Sequence, residues 1–299
     1  MCDVLISIEN LIRKANEDLE DELEKANFVD PKETVKKINE FDDDVTKLLD
    51  EERKHFLKEF DNDDSIPNLV AKLNNAKTDD LFKVGMAKVT KEHLTDFIAE
   101  FTELYIKQID KQMAFNFATD KTTNWINSWA EELGDIMGLT SHNEIDRILK
   151  KTLKEGLSIQ ETREMLEDSY GFSSTRARTT AITEILTAHS VSKEEAFNQS
   201  PAVTGKKWKH SGRAKNEPRA DHVAVDGVIV GKGKYFNVGG ELALYPRDTS
   251  LSAKQRVLCH CTHSAVVDPE ILGLTLEEKN KLQNQLIISN NINNELFWG

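Results

Sequence analysis

The chain has 299 residues, enough for one large domain or two ordinary ones, and its 38% hydrophobic and 30% charged content permits a core while leaving it polar for its size. No apolar run approaches the ~20 residues a membrane span requires, and the start MCDVLISIENLIRKANED has no basic stretch ahead of a long apolar one, so neither a span nor a secretory leader is expected. The net charge of −13 is unevenly placed: residues 1–170 carry 23 Lys+Arg against 39 Asp+Glu, and residues 171–299 carry 16 against 13.

The first two thirds read as helix. Leu5, Ile8, Ile12, Ala15, Leu19, Leu23 and Ala26 recur at three- and four-residue steps, which places them on one helical face. Asp30-Pro31 interrupts that pattern, and Pro31 suits the first position of a second helix. The second stripe runs Val35, Ile38, Phe41, Val45, Leu48, Phe56 and Phe60, and DNDDSIPN (61–68) reads as a loop. A third pattern holds Leu94, Phe97, Phe101, Leu104, Ile109 and Met113, and a shorter one Trp125, Trp129, Leu133 and Ile136. Ser141…Glu144 and Ser158…Glu161 have capping-box spacing, with Gly156 and Gly171 as stops. A further helix is expected from about Thr175 to Asn198. These stripes suit the packing faces of a bundle or a long arm, and an acidic arm with narrow apolar seams also suits an assembly protein.

After Pro201 the texture changes. Seven of the 14 glycines lie between Gly205 and Gly240, and the helical period is lost. VAVDGVIV (223–230) has the form of a hairpin, two β-branched runs around Asp226-Gly227. Further short strands are expected around 206–209, 234–238 and 255–259, and a last helix after Pro269. The fold class is therefore α+β, with an acidic helical arm or bundle over 1–170, a small module of short antiparallel strands over 171–268, and a helix and tail over 269–299.

Reactive side chains concentrate in that module. Two of the three cysteines and four of the eight histidines lie between Trp208 and His263. Three cysteines make no disulfide framework: Cys259 and Cys261 are too close to bridge without strain and Cys2 is remote, which fits a reducing cytosol. Cys259, Cys261 and His263 alternate, so on an extended strand they share one face. Zinc prefers such thiolate and imidazole ligands, with His222 or His210 as a fourth. Against this, C-x-C lacks the usual two-residue knuckle and no second pair exists, and small buried thiols capping a strand are a common fate of free cysteine. His222 is either a base or ligand with Asp226 orienting it, or a backbone-bonded histidine beside an Asp-Gly turn. Residues 205–256 carry 11 basic and 5 acidic side chains, a mild attraction for DNA around Trp208 at most.

Read in order, these residues resemble the phage Mu F-like minor head protein family, also called the phage head morphogenesis domain. The resemblance rests on RARTTAITEILTAH, GKKWKH, RADHVAVDG, Phe236, PRD and CHC, over about residues 150–267. Its matching positions are Arg178, Glu184, Trp208, Arg219, His222, Asp226, Gly227, Phe236, Pro246, Asp248, Cys259 and Cys261. The chain departs from the family's pattern at Leu258 and His260, where Asn and Arg are usual. The resemblance implies a non-enzymatic virion protein of a tailed phage or prophage, made in the bacterial cytoplasm. It implies docking on the portal and on capsid or scaffold proteins, and a role in head morphogenesis, DNA packaging or ejection. The rival reading is a metal-dependent hydrolase or nuclease centred on His222, Asp226, Cys259, Cys261 and His263.

Overall fold

The computed structural model describes residues 2–61, 65–115, 118–212 and 218–295, and for 2–9 and 289–295 the backbone alone. Leu5 and Ile8 as side chains, and Asn62–Asp64 of the expected loop, thus lie outside the described residues. Seven helices come first: α1 (Cys2–Lys25), α2 (Pro31–Lys58), α3 (Ile66–Ala76), α4 (Leu81–Ile109), α5 (Asp120–Glu155), α6 (Ile159–Glu167) and α7 (Ser174–Gln199). Then come β1 (Val203–Lys209), α8 (Ala220–Ala224), β2 (Ile229–Gly231), β3 (Phe236–Val238), β4 (Glu241–Ala243), α9 (Ala253–Arg256), β5 (Thr262–Val267), α10 (Pro269–Leu272) and α11 (Leu276–Glu295). The class is α+β. Among the described residues no helix is long and apolar enough to cross a membrane.

Several boundaries have local causes. Pro31 opens α2, and Ser65 accepts the Asn68 N–H at the start of α3. Ser158 and Glu161 close a reciprocal capping box on α6, and Gly156 ends α5 at φ 68. Ser141…Glu144, with the same spacing, starts nothing: it lies inside α5, where Ser141 Oγ donates to Glu52 Oε2 at 2.7 Å. Met137, Ile145 and Ile148 are buried on both sides of it, and that packing outweighs a cap worth about 1 kcal/mol. Gly171 sits within a 3-10 turn, Tyr170–Phe172, rather than stopping a helix. In α5 the inward position falls to Met137, leaving Ile136 exposed.

The three-stranded sheet has order β2-β1-β5, all antiparallel, with Trp208 opposite His263 and Lys207 opposite Ile229. The expected hairpin about Asp226-Gly227 is only half present. Ala220–Ala224 is helical, and Gly227, at φ 77, turns the chain so that only Ile229–Gly231 joins β1. His222 and Val225 are buried while Val223 is exposed, a three-residue spacing that a strand cannot produce. A true hairpin instead pairs β3 with β4 around Gly239-Gly240, both at positive φ. The expected strand at 255–259 is helix α9 and an irregular turn. The N–H groups of Arg256 and Val257 close onto the carbonyls of Ser252 and Ala253, four residues back, so they do not reach a neighbouring strand.

The chain forms two compact units, each from separate segments. One comprises Met1–Lys37, Leu94–Trp125 and Ile182–Gly299; the other comprises Ile38–His93 and Ile126–Ala181. Helices α2, α4, α5 and α7 each supply residues to both. The second unit is centred on Phe56, Leu69, Leu73, Ile145, Ile148 and Phe172. In the first, Trp208, Val225, Phe236, Val238, Leu251 and the two cysteines form one apolar cluster. The part of α7 from 183 to 197 is buried on all sides although much of it is polar. Its His189 is held between Thr34 Oγ1 and Tyr105 OH, each at 2.8 Å, edge-on to Phe28, Phe97 and Phe101. Burial keeps that imidazole well below its ordinary pKa and so uncharged at neutral pH.

Candidate functional site

Three of the residues singled out in the sequence meet in the first unit. His222 Nδ1 lies 3.5 Å from Cys259 Sγ and 3.4 Å from Cys261 Sγ. All three side chains are 2% exposed. Helix α8 supplies the histidine. The two sulfurs come from the irregular segment ahead of β5, where Leu258 takes φ 52 and its N–H donates to Thr183 Oγ1 at 3.1 Å.

A chain of hydrogen bonds sets the imidazole tautomer. The Asp221 carboxylate only accepts, so the Gln255 atom that meets its Oδ2 at 2.8 Å is the amide nitrogen. Gln255 Oε1 then faces His222 Nε2 at 2.9 Å and requires a proton there. Nδ1 is left as a bare lone pair aimed at the sulfurs. From the other side, one nitrogen of the Arg247 guanidinium donates to the carbonyls of Cys259 (2.7 Å) and Cys261 (2.6 Å), and the second to Ser190 Oγ at 2.7 Å. The thiols behave as a pair. The Cys261 thiol, donating to Cys259, draws the latter well below the usual thiol range against the effect of burial, with the Arg247 guanidinium acting in the same direction. Cys261, as the donor in a buried place, is pushed the opposite way.

The remaining signature residues build the surroundings. Trp208 is fully buried and stacks edge-on to Phe236 and His222. Arg219 donates to the Val257 carbonyl at 2.6 Å. Asp226 accepts the His210 N–H at 2.7 Å and thus pins the turn, with no hydrogen bond to His222 among the described residues. Asp248 accepts from the N–H groups of Leu244 and Ser250. Pro246 is buried in the turn that presents Arg247. Glu184 Oε1 pairs with Arg256, whose Nε donates to the Arg247 carbonyl. Arg178 belongs to the second unit, where it donates to Asn39 Oδ1 at 2.7 Å.

His263 lies apart from the sulfur cluster. Its ring packs against Phe197 and Tyr245, with Nε2 at 3.7 Å from Glu194, too far for a hydrogen bond. Burial lowers its pKa to about 4. Glu194 has a direct partner in Lys206 at 2.8 Å. Beside them Lys193 is buried against the Phe28 and Tyr105 rings, and desolvation brings its pKa down to about 7. Lys206, Arg247 and Arg256 are all buried, so the module shows solvent less positive charge than its composition implies.

Arg247, Gln255 and Asp221 were not visible as site residues in the sequence. Arg247 stood between two signature residues, Pro246 and Asp248, and that position was its one signal. The model of the family described as phage Mu protein F like protein matches residues 143–264, which span every one of these groups. Over 295 residues the chain is 37% identical to the uncharacterized protein YqbB of Bacillus subtilis (strain 168), covering 95% of this chain and 97% of that relative. No solved structure matches it. With the signature residues from Glu184 onward assembled in one unit and the family match running through them, the chain belongs to the phage Mu protein F-like family of phage head-morphogenesis proteins.

Proposed function

We propose that this protein is a minor head protein of a tailed phage or prophage, docked on the portal or the capsid interior and acting in head assembly, DNA packaging or ejection. One observation carries the reading beyond family membership: the residues behind the resemblance hold backbone and core. Arg219, Asp226 and Asp248 each bond main-chain groups, and Trp208 and Phe236 fill the centre of the module. A group that turns over substrate needs a path to it, whereas His222, Cys259 and Cys261 are 2% exposed. That arrangement favours an architectural part over a hydrolase or nuclease.

The test uses the full chain, because residues 1–37 and 94–125 belong to the same compact unit as the module. The protein is co-expressed with the portal and major capsid proteins of its own phage, and assembled heads are separated by sedimentation. Portal-dependent recovery in the head fraction is expected. Heads that form normally and never contain the protein would overturn the reading.

A further inference from the structure

We propose that His222 Nδ1, Cys259 Sγ and Cys261 Sγ hold a zinc ion that staples the module. The three donor atoms lie within 4.8 Å of one another and are buried. A tetrahedral zinc with Zn–S about 2.3 Å and Zn–N about 2.05 Å separates sulfur from nitrogen by about 3.5–3.6 Å. The observed separations are 3.5 and 3.4 Å. A trigonal ion with the same bond lengths would open them to about 3.8 Å.

The second observation is the direction of the nitrogen. Asp221 orients Gln255, Gln255 orients His222, and the outcome is a single lone pair facing two sulfurs. Without an ion the thiols share that lone pair in series, Cys261 donating to Cys259 and Cys259 to Nδ1. A cation among the three donors would replace both contacts with bonds to all of them. The relay is the outer-shell arrangement that metal-ligating histidines need, since it prevents the proton from sitting on the ligating nitrogen. Charge agrees: two thiolates and a dication sum to zero, which avoids the cost of an uncompensated buried charge.

Three donors come from the described residues. Burial makes the ion structural in effect. It would tie α8 to a segment 37 and 39 residues further on. Between them lie β2, the β3–β4 hairpin and α9, elements of only three or four residues each. Closing such a loop removes freedom from the unfolded chain and adds the binding energy of the metal to folding.

The experiment takes the full-length protein, purified under reducing conditions without chelator, and measures metal by mass spectrometry. About one zinc per chain is expected, falling at least tenfold in Cys259→Ser and Cys261→Ser and remaining in Cys2→Ser. To separate metal loss from misfolding of those variants, apo wild-type protein is also titrated with cobalt(II). A thiolate-to-cobalt charge-transfer band with visible absorption of tetrahedral intensity is expected, and zinc should displace it. Folded wild-type protein that carries less than about a tenth of a zinc per chain and gives no cobalt–thiolate band would overturn the proposal. Copper in place of zinc would overturn it equally.

Discussion

Gln255 Oε1 sits 2.9 Å from His222 Nε2, and that contact decides which nitrogen of the imidazole carries the proton. Gln255 is not free to choose its own orientation, because its amide nitrogen is committed to Asp221 Oδ2 at 2.8 Å. A residue two steps removed from the sulfurs therefore sets the chemistry presented to them.

Replacing Gln255 with Leu leaves the buried His222 N–H and one Asp221 oxygen without this partner. The expected loss is about 1–3 kcal/mol, seen as a lower urea midpoint with an unchanged slope. A midpoint within error of wild type would mean that the relay does not set the imidazole.

Arg247 is the larger determinant of stability. Arg247→Met strands the carbonyls of Cys259 and Cys261 and the Ser190 hydroxyl in a dry interior, a cost of about 3 kcal/mol or more. Arg247→Lys recovers only part of this, since an ammonium cannot reproduce the planar fork that reaches three acceptors. Chemical denaturation of the two variants should rank them Lys above Met, both well below wild type.

Lys193 predicts a pH dependence. Its pKa falls from 10.5 to about 7 on folding because burial disfavours the ammonium. Between about pH 7 and 10.5 the unfolded chain holds a proton there that the native state does not, so this group makes stability rise with pH across that window. The penalty is complete below the folded pKa and absent above the unfolded one. Lys193→Met should remove up to about 1.4 kcal/mol per pH unit of that slope. Urea unfolding at pH 7, 8 and 9 is the check, and parallel profiles for variant and wild type would refute it.

The two glycines of the β3–β4 turn should respond unequally. Both take positive φ, at 60 for Gly239 and 93 for Gly240, and alanine at either is strained by about 1 kcal/mol or more. At Gly240 the added methyl meets open space; at Gly239 it would run into the Asp221 carboxylate. Relieving that clash moves the carboxylate that orients Gln255. Gly239→Ala should therefore cost about 1 kcal/mol more than Gly240→Ala by thermal unfolding.

The long helices were legible because their signal repeats. Val35, Ile38, Phe41 and Val45, or Leu94, Phe97 and Phe101, recur at helical spacing and are all buried in α2 and α4. Helix α7 was readable as a helix but not as a buried one, since Thr187, His189, Ser190, Lys193, Glu194 and Glu195 look like a solvated face. Their partners are distant in sequence: Thr34 and Tyr105 for His189, Thr119 for Glu195, Lys206 for Glu194. The hairpin expected at Asp226-Gly227 failed for a related reason. The turn residues were right for a tight turn, but turning His222 inward toward two cysteines requires a helical turn before it.

Local order along the chain determined the class, the long helices, the capping box at Ser158 and the family to which the chain belongs. These depend on neighbours within a few residues, or on the order of motifs, and need no knowledge of packing. The tertiary structure alone decided that His222 joins Cys259 and Cys261 while His263 does not, and that Arg247 and Gln255 govern that group. Donors 37 and 39 residues apart meet only when burial of Trp208, Val225 and Phe236 folds the segment between them, and no spacing rule encodes that closure.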